Sequence, residues 1–249
     1  MCGFTGYLGG DVGSEKLLSN MCEKLDHRGP DDSGVWLDES SQIGLSHKRL
    51  SILDLSEAGH QPMISELERY VIVFNGEIYN HLEIRKELSV LKDQEISWRG
   101  HSDTETLLSG IEVWGLEETL KKLIGMFSFA LWDRREEQLF LARDRMGEKP
   151  LYYGWQGEGK KASFLFGSEL KALRVHPSFK SEINRDVISL LLRHSCIPDP
   201  YSIFCGISKL LPGYILRLSL KNRDPKMWPY WSAEEVLNEG VATTHNGSD

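Results

Sequence analysis

The chain has 249 residues, 40% of them hydrophobic, enough to bury a full core as one large domain or two small ones. Its formal net charge of -8, with no long Lys/Arg run, argues against a nucleic-acid surface, because phosphate binding needs a cationic footprint. There is no run of about 18 apolar residues and no basic-then-apolar leader, and Cys2, Cys22, Cys196 and Cys205 show neither CxxC pairing nor metal-ligand spacing; membrane, export, zinc and disulfide classes are set aside, and a cytoplasmic protein with a small ligand is expected.

The first ten residues, Met1 to Gly10, suit a strand whose glycines at 3 and 6 let backbone come close to a neighbour. If Met1 is removed, Cys2 carries a thiol and a free α-amine on one carbon, and an α-amine titrates near pH 8, close enough to neutral to act as base for the adjacent nucleophile. Taken alone, a Cys at position 2 is more often an incidental small hydrophobe than a nucleophile. Ser14 to Leu25 follows as a helix, with Ser14 as N-cap and Leu17, Met21 and Leu25 on one side, joined by Leu18 and Cys22, which places Cys22 in the core. His27-Arg28-Gly29-Pro30-Asp31 is a loop whose charges need a reason of their own. Val35-Trp36-Leu37 and Ile43 to His47 are two short strands around a hairpin loop at Asp38 to Gln42, and Arg49 follows the second.

Val71-Ile72-Val73-Phe74 has the pattern of a strand buried on both faces, ending in an Asn75-Gly76 turn signal before a helix from Asn80, whose Glu83 completes a capping-box variant. Ser102-Asp103-Thr104-Glu105 is a second capping box, with Leu107, Leu108, Ile111 and Trp114 as the apolar face, and the helix dipole alone is a sufficient reason for Asp103. Leu116, Leu120, Leu123 and Ile124 mark a short helix. Met126 to Trp132 and Gln138 to Arg143 form a hairpin, and Leu151 to Gly154 with Phe164 to Gly167 form another. Asn184 to Leu192 is a helix, Tyr214 to Leu218 a last strand, and from Glu234 the residues turn polar and aperiodic, with Val241 to Asp249 as a linker. Strands gathered in the middle with helices between and after them give a layered α+β domain.

Met-Cys-Gly at the start, His27 to Asp31, Ser46-His47-Lys48-Arg49-Leu50-Ser51-Ile52, Phe74 to Asn80, Ser102 to Glu105, Arg143-Asp144-x-x-Gly147-x-Lys149-Pro150-Leu151-Tyr152-Tyr153 and Leu211-Pro212-Gly213 together resemble the glutaminase domain of glutamine-hydrolysing asparagine synthetases, from Cys2 to Tyr230-Trp231. The resemblance implies an N-terminal nucleophile hydrolase fold, a four-layer α/β/β/α sandwich of two antiparallel sheets, over residues 2–231. It implies L-glutamine as substrate, Cys2 attacking the side-chain amide to form a thioester, and an oxyanion hole from Asn75 and Gly76. Arg49 would take the α-carboxylate, Glu77 and Asp103 the α-ammonium, and the backbone of Leu50, Ser51, Ile52 and Leu53 would line the pocket.

No metal or cofactor is expected in this domain. ATP and Mg belong to a synthetase domain announced by Ser-Gly-Gly-x-Asp-Ser, which this sequence lacks; residues 232–249 would lead toward it, and ammonia would travel to it. The family leaves room for a homodimer. Two other readings stay open: the glutaminase half of another amidotransferase, with a sugar or other carboxylate as acceptor, and a catalytically silent regulatory domain.

Overall fold

The computed structural model describes residues 1–10, 13–91 and 97–244. In chain order its elements are β1 (Gly3–Leu8), α1 (Glu15–Glu23), β2 (Asp32–Asp38), β3 (Ile43–Arg49), β4 (Met63–Ile64), β5 (Tyr70–Ile78), α2 (His81–Leu91), α3 (Asp103–Trp114), α4 (Leu116–Lys122), β6 (Gly125–Asp133) and β7 (Gln138–Arg143). They continue as β8 (Tyr152–Gln156), β9 (Ser163–Gly167), α5 (Leu170–Leu173), α6 (Asp186–His194), β10 (Ser208–Lys209), β11 (Tyr214–Leu218), β12 (Lys226–Pro229) and α7 (Ala233–Thr244). The strands make two six-stranded antiparallel sheets, ordered β10-β8-β9-β1-β3-β2 and β12-β11-β7-β6-β5-β4.

Side-chain alternation along each strand builds the layers. Phe4 and Leu8 of β1, Ile43 and Leu45 of β3, and Phe164 and Phe166 of β9 meet Val71 and Val73 of β5, Ala130 and Trp132 of β6, and Leu139 and Leu141 of β7 between the sheets. Each Val, Leu, Ile or Phe among them contributes about 1.5–3 kcal/mol on burial, and that apolar seam holds the sheets face to face. The intervening residues of β5, Ile72 and Phe74, pack outward under Ile84 and Leu88 of α2 and Leu107, Leu108 and Ile111 of α3. Tyr7 and Leu165 do the same on the first sheet, beneath Leu17, Leu18 and Met21 of α1 and Leu173 of α5. The result is the four-layer sandwich that the resemblance implied. Among the described residues no helix is long and apolar enough to cross a membrane.

Ser14 caps α1, its Oγ accepting from the Leu17 N–H at 3.1 Å, and Cys22 is buried with its thiol donating to the His47 carbonyl. Three local expectations are corrected. Asn75-Gly76 is not a turn: β5 runs on to Ile78 because β6 continues beside it, pairing Asn75 with Ser128, Gly76 with Phe127 and Ile78 with Gly125. Gly76 is needed there because a Cβ would stand 2.3 Å from the Met126 carbonyl oxygen and 2.6 Å from Phe127 Cβ. The Asn80 side chain does not cap α2; it donates to the Lys122 carbonyl at 3.0 Å and accepts from the Ile124 N–H at 2.9 Å, tying the start of the helix to the end of α4. The polar stretch from Glu234 is helical, as α7, with Val236 and Leu237 exposed; residues 245–249 of the expected linker lie outside the described residues. The second capping box forms in altered shape. Ser102 Oγ accepts from the Thr104 N–H, whereas Glu105 reaches back past the cap to the N–H groups of Arg99 and Gly100.

Candidate active site

At one end of the sandwich the apolar rows give way to polar side chains on the same inward faces. Cys2 extends the row of Phe4 and Leu8, His47 and Arg49 extend that of Ile43 and Leu45, and Asn75 and Glu77 extend that of Val71 and Val73. Cys2, Arg49, Asn75, Gly76, Glu77 and Asp103 line one cleft with Leu50, Ile52 and Leu53. Of the expected set only Ser51 turns away, its N–H held by Asp31 at 2.8 Å beside a neighbouring depression.

The Cys2 thiol sits against the backbone of Leu50, accepting from its N–H at 3.3 Å and donating to its carbonyl at 3.6 Å. Burial pushes the thiol pKa up, against the lowering effect of the Leu50 bond, the N-terminal charge and Arg49. A thiol held protonated in this way needs a local base before it can attack a carbonyl. The charged loop at 27–31 anchors the same strand end. Arg28 pairs with Glu169 and reaches the Cys2 carbonyl at 3.5 Å, and His27 meets Glu169 at 3.0 Å. Gly29 lies so close to Arg49 that a Cβ would stand 2.5 Å from its backbone.

The Arg49 guanidinium donates to the carbonyls of Asp54 and Ser56, the latter at 2.9 Å, so it also shapes the wall that follows Leu53. Asp54 is itself locked. Burial would raise its pKa, but bonds from the Ser56 hydroxyl and from the N–H groups of His101 and Ser56 hold it at about 2. Asp103, at the first position of α3, accepts from the Ile78 N–H at 2.9 Å. Its burial outweighs that bond and the one from Thr104, and with the nearby charge of Glu77 it raises the pKa to about 6.

The end of β5 supplies two donors, one from its backbone edge and one from an inward side chain, that have no partner among the described residues. Asp144 takes the Phe127 N–H through its carboxylate at 3.2 Å and donates its own N–H to the Phe127 carbonyl at 2.8 Å, so Phe127 spends both backbone groups on the side away from β5. Gly76, opposite Phe127, is then in a non-hydrogen-bonded pair, and its N–H and carbonyl face the other edge, where β4 has already ended. On that edge Phe74 N–H is taken by Gln61 and Ile78 N–H by Asp103, leaving the Gly76 N–H between them facing the cleft. The Asn75 side chain is 1% exposed, and among the described residues its amide nitrogen has no hydrogen-bond partner. A buried unpaired donor is costly, and it is retained where something else accepts from it.

Several cleft residues were given no role from sequence: Asp54, Gln61, Thr104, Met126 and Lys149. Lys149 lay in a recognised motif. The motif folds into a closed turn in which Asp144 accepts from Met146, Glu148 and Lys149 N–H groups while Arg143 donates to the Gly147 and Lys149 carbonyls. The turn buries Lys149, whose ammonium lies 3.3 Å from the Met1 sulfur and, among the described residues, within ion-pair reach of no carboxylate.

A family model described as "Glutamine amidotransferase domain" matches residues 1–231. The chain is 38% identical to asparagine synthetase [glutamine-hydrolyzing] 3 of Bacillus subtilis, over 94% of this chain and 37% of that protein. It is 36% identical to the putative asparagine synthetase [glutamine-hydrolyzing] 2 of Methanocaldococcus jannaschii, over 93% of this chain and 46% of that protein. It thus spans less than half the length of these relatives. Among solved structures, the glutamine phosphoribosylpyrophosphate amidotransferase of B. subtilis aligns with a TM-score of 0.64 at 18% identity, over 92% of this chain and 49% of that one, a likeness of fold alone. With its two stacked sheets, its Cys2 cleft and a family match over 1–231, the chain belongs to the glutamine amidotransferase domain family.

Proposed function

We propose that this domain hydrolyses glutamine to glutamate and ammonia through a thioester on Cys2, and that it is the ammonia-supplying part of a glutamine-dependent asparagine synthetase. The names of the curated relatives support the second half; in them a further domain would receive the ammonia. One observation carries the first half: the Cys2 thiol shares a cleft with a buried Asn75 amide nitrogen that has no partner among the described residues and with a Gly76 N–H on a bare strand edge. With Met1 removed, the Cys2 α-amine takes the thiol proton as Sγ bonds to the amide carbon, then passes it to the departing nitrogen. Charge that builds on the amide oxygen is met by the Asn75 and Gly76 donors, each worth about 3 kcal/mol. Water then attacks the thioester and releases glutamate. The test is direct: the chain, with Met1 shown absent by intact mass, should release glutamate and ammonia in equal amounts, and absence of both sinks the proposal.

Arg49 would bind the α-carboxylate with guanidinium N–H groups left over from the Asp54 and Ser56 carbonyls. Arg49→Lys should raise KM for glutamine by roughly 30-fold, the equivalent of about 2 kcal/mol for a charge-assisted bond that a point-charge ammonium cannot reproduce in fork geometry. An amide lacking the α-carboxylate is the control. If the wild type hydrolyses it as well as glutamine, Arg49 has no such role.

Asp103 would meet the α-ammonium as a carboxylate, and its pKa of about 6 gives a pH dependence with a definite sign. Above that value it is ionised and ready. Below it, binding must first strip a proton, so KM should rise by up to about tenfold per pH unit as pH falls, and Asp103→Asn should flatten the slope while weakening binding throughout. The same shift makes the unliganded fold lose stability as pH rises from about 4 to about 6, because the folded state still holds a proton that the unfolded chain has released. A KM that is level from about pH 5 to 7 would remove Asp103 from the ammonium site.

A further inference from the structure

β4 pairs only Met63 with Ile72 and Ile64 with Val71, so among the described residues no strand lies beside the outer edge of β5 from Phe74 onward. Side chains replace the ladder at Phe74. Its N–H donates to Gln61 Oε1 at 2.6 Å, and its carbonyl accepts from His47 Nε2 at 2.9 Å. Gln61 in turn donates to Thr104 Oγ1 at 3.3 Å, next to Asp103 in the first turn of α3. His47 belongs to β3, in the opposite sheet, and is fully buried, so its bond crosses between the sheets one residue before Asn75. Because a carbonyl can only accept, Nε2 carries the hydrogen and the neutral ring leaves its lone pair on Nδ1, which has no partner among the described residues. Burial holds the ring pKa down at about 4, so the donor persists unchanged at neutral pH.

We propose that His47 is a positioning residue: its bond to the Phe74 carbonyl sets the backbone of Phe74-Asn75-Gly76, and thereby the aim of the two donors at the reacting amide oxygen. This rests on the oxyanion role proposed above for Asn75 and Gly76. A bare edge is free to shift, and a misplacement of about 1 Å in such a site is enough to cost on the order of 100-fold in rate. The competing role is that of a core filler between Leu45 and Arg49, whose loss would cost stability and leave the turnover of folded molecules intact.

The experiment uses the whole chain with His47→Leu, which removes the donor, and His47→Gln, whose side-chain amide can donate from a similar reach. His47→Leu should lower kcat by about ten- to 100-fold with KM for glutamine within about twofold, and amide exchange in the Tyr70–Ile78 segment should quicken while that of Gly3–Leu8 does not. His47→Gln should recover most of kcat, with a kcat–pH profile parallel to that of the wild type. A His47→Leu protein that keeps wild-type kcat per folded molecule, or leaves exchange in Tyr70–Ile78 unaltered, overturns the proposal. So does a loss that His47→Gln fails to restore. Should the wild type release no ammonia from glutamine, the glutaminase proposal falls, and the exchange comparison still decides whether His47 holds this strand.

Discussion

Replacing Cys2 by alanine is expected to take glutamine hydrolysis to background, a loss on the order of 10⁴-fold or more, while the melting temperature moves by only a few degrees. The asymmetry follows from what the thiol touches. Its polar contacts are with the N–H and carbonyl of Leu50, at sulfur distances, so its removal costs about 1 kcal/mol at most. The other cysteines cannot stand in: Cys22 is buried against the His47 carbonyl, and neither Cys196 nor Cys205 lines the cleft. A glutamine-like electrophile should therefore label Cys2 alone, and mapping the adduct to Cys196 or Cys205 would sink the assignment. A form that retains Met1 should be as inactive as the alanine variant. Its Cys2 nitrogen is an amide and no base, and burial keeps the thiol protonated.

How much of this was legible depended on how local the cause was. Ser14 as a cap, Cys22 in the core and the two-sided burial of Val71 to Phe74 are decided within a few residues, and all three stand in the fold. Asn75-Gly76 shows the opposite case. The dipeptide favours a turn on its own, and it is overruled by a strand some 50 residues away, since β6 offers a partner to every residue up to Ile78. Asn80 has the sequence of a cap, but Lys122 and Ile124, distant in the chain, take its side chain. β4, β10 and β12 are too short to show a period, and α7 exposes the apolar residues that would have marked a buried face. In the site, Cys2, Arg49, Asn75 and Asp103 belonged to motifs. Gln61 carried no signal, because its importance lies in meeting Phe74 and Thr104, which only the folded chain brings within reach.

Asn75→Ala is expected to lower kcat by about 100-fold or more with KM for glutamine little changed, because an oxyanion donor acts on charge that exists mainly in the transition state. Position supports the assignment. The Asn75 backbone is held on one side by its pairing with Ser128 of β6, and its side chain points into the inter-sheet space on the row of Val71 and Val73. Stability separates this role from a structural one. A side chain that earned its place by holding the fold would lose hydrogen bonds when truncated, and the melting temperature would fall. The Asn75 amide nitrogen has none to lose, and a buried donor without a partner is itself a cost, so the alanine variant should melt at or slightly above the wild-type temperature. The measurement pairs steady-state kinetics with a thermal melt on the same preparations. A lowered melting temperature with unchanged kcat would make Asn75 a structural residue, whereas a stable protein with a collapsed kcat is what a donor waiting for negative charge requires.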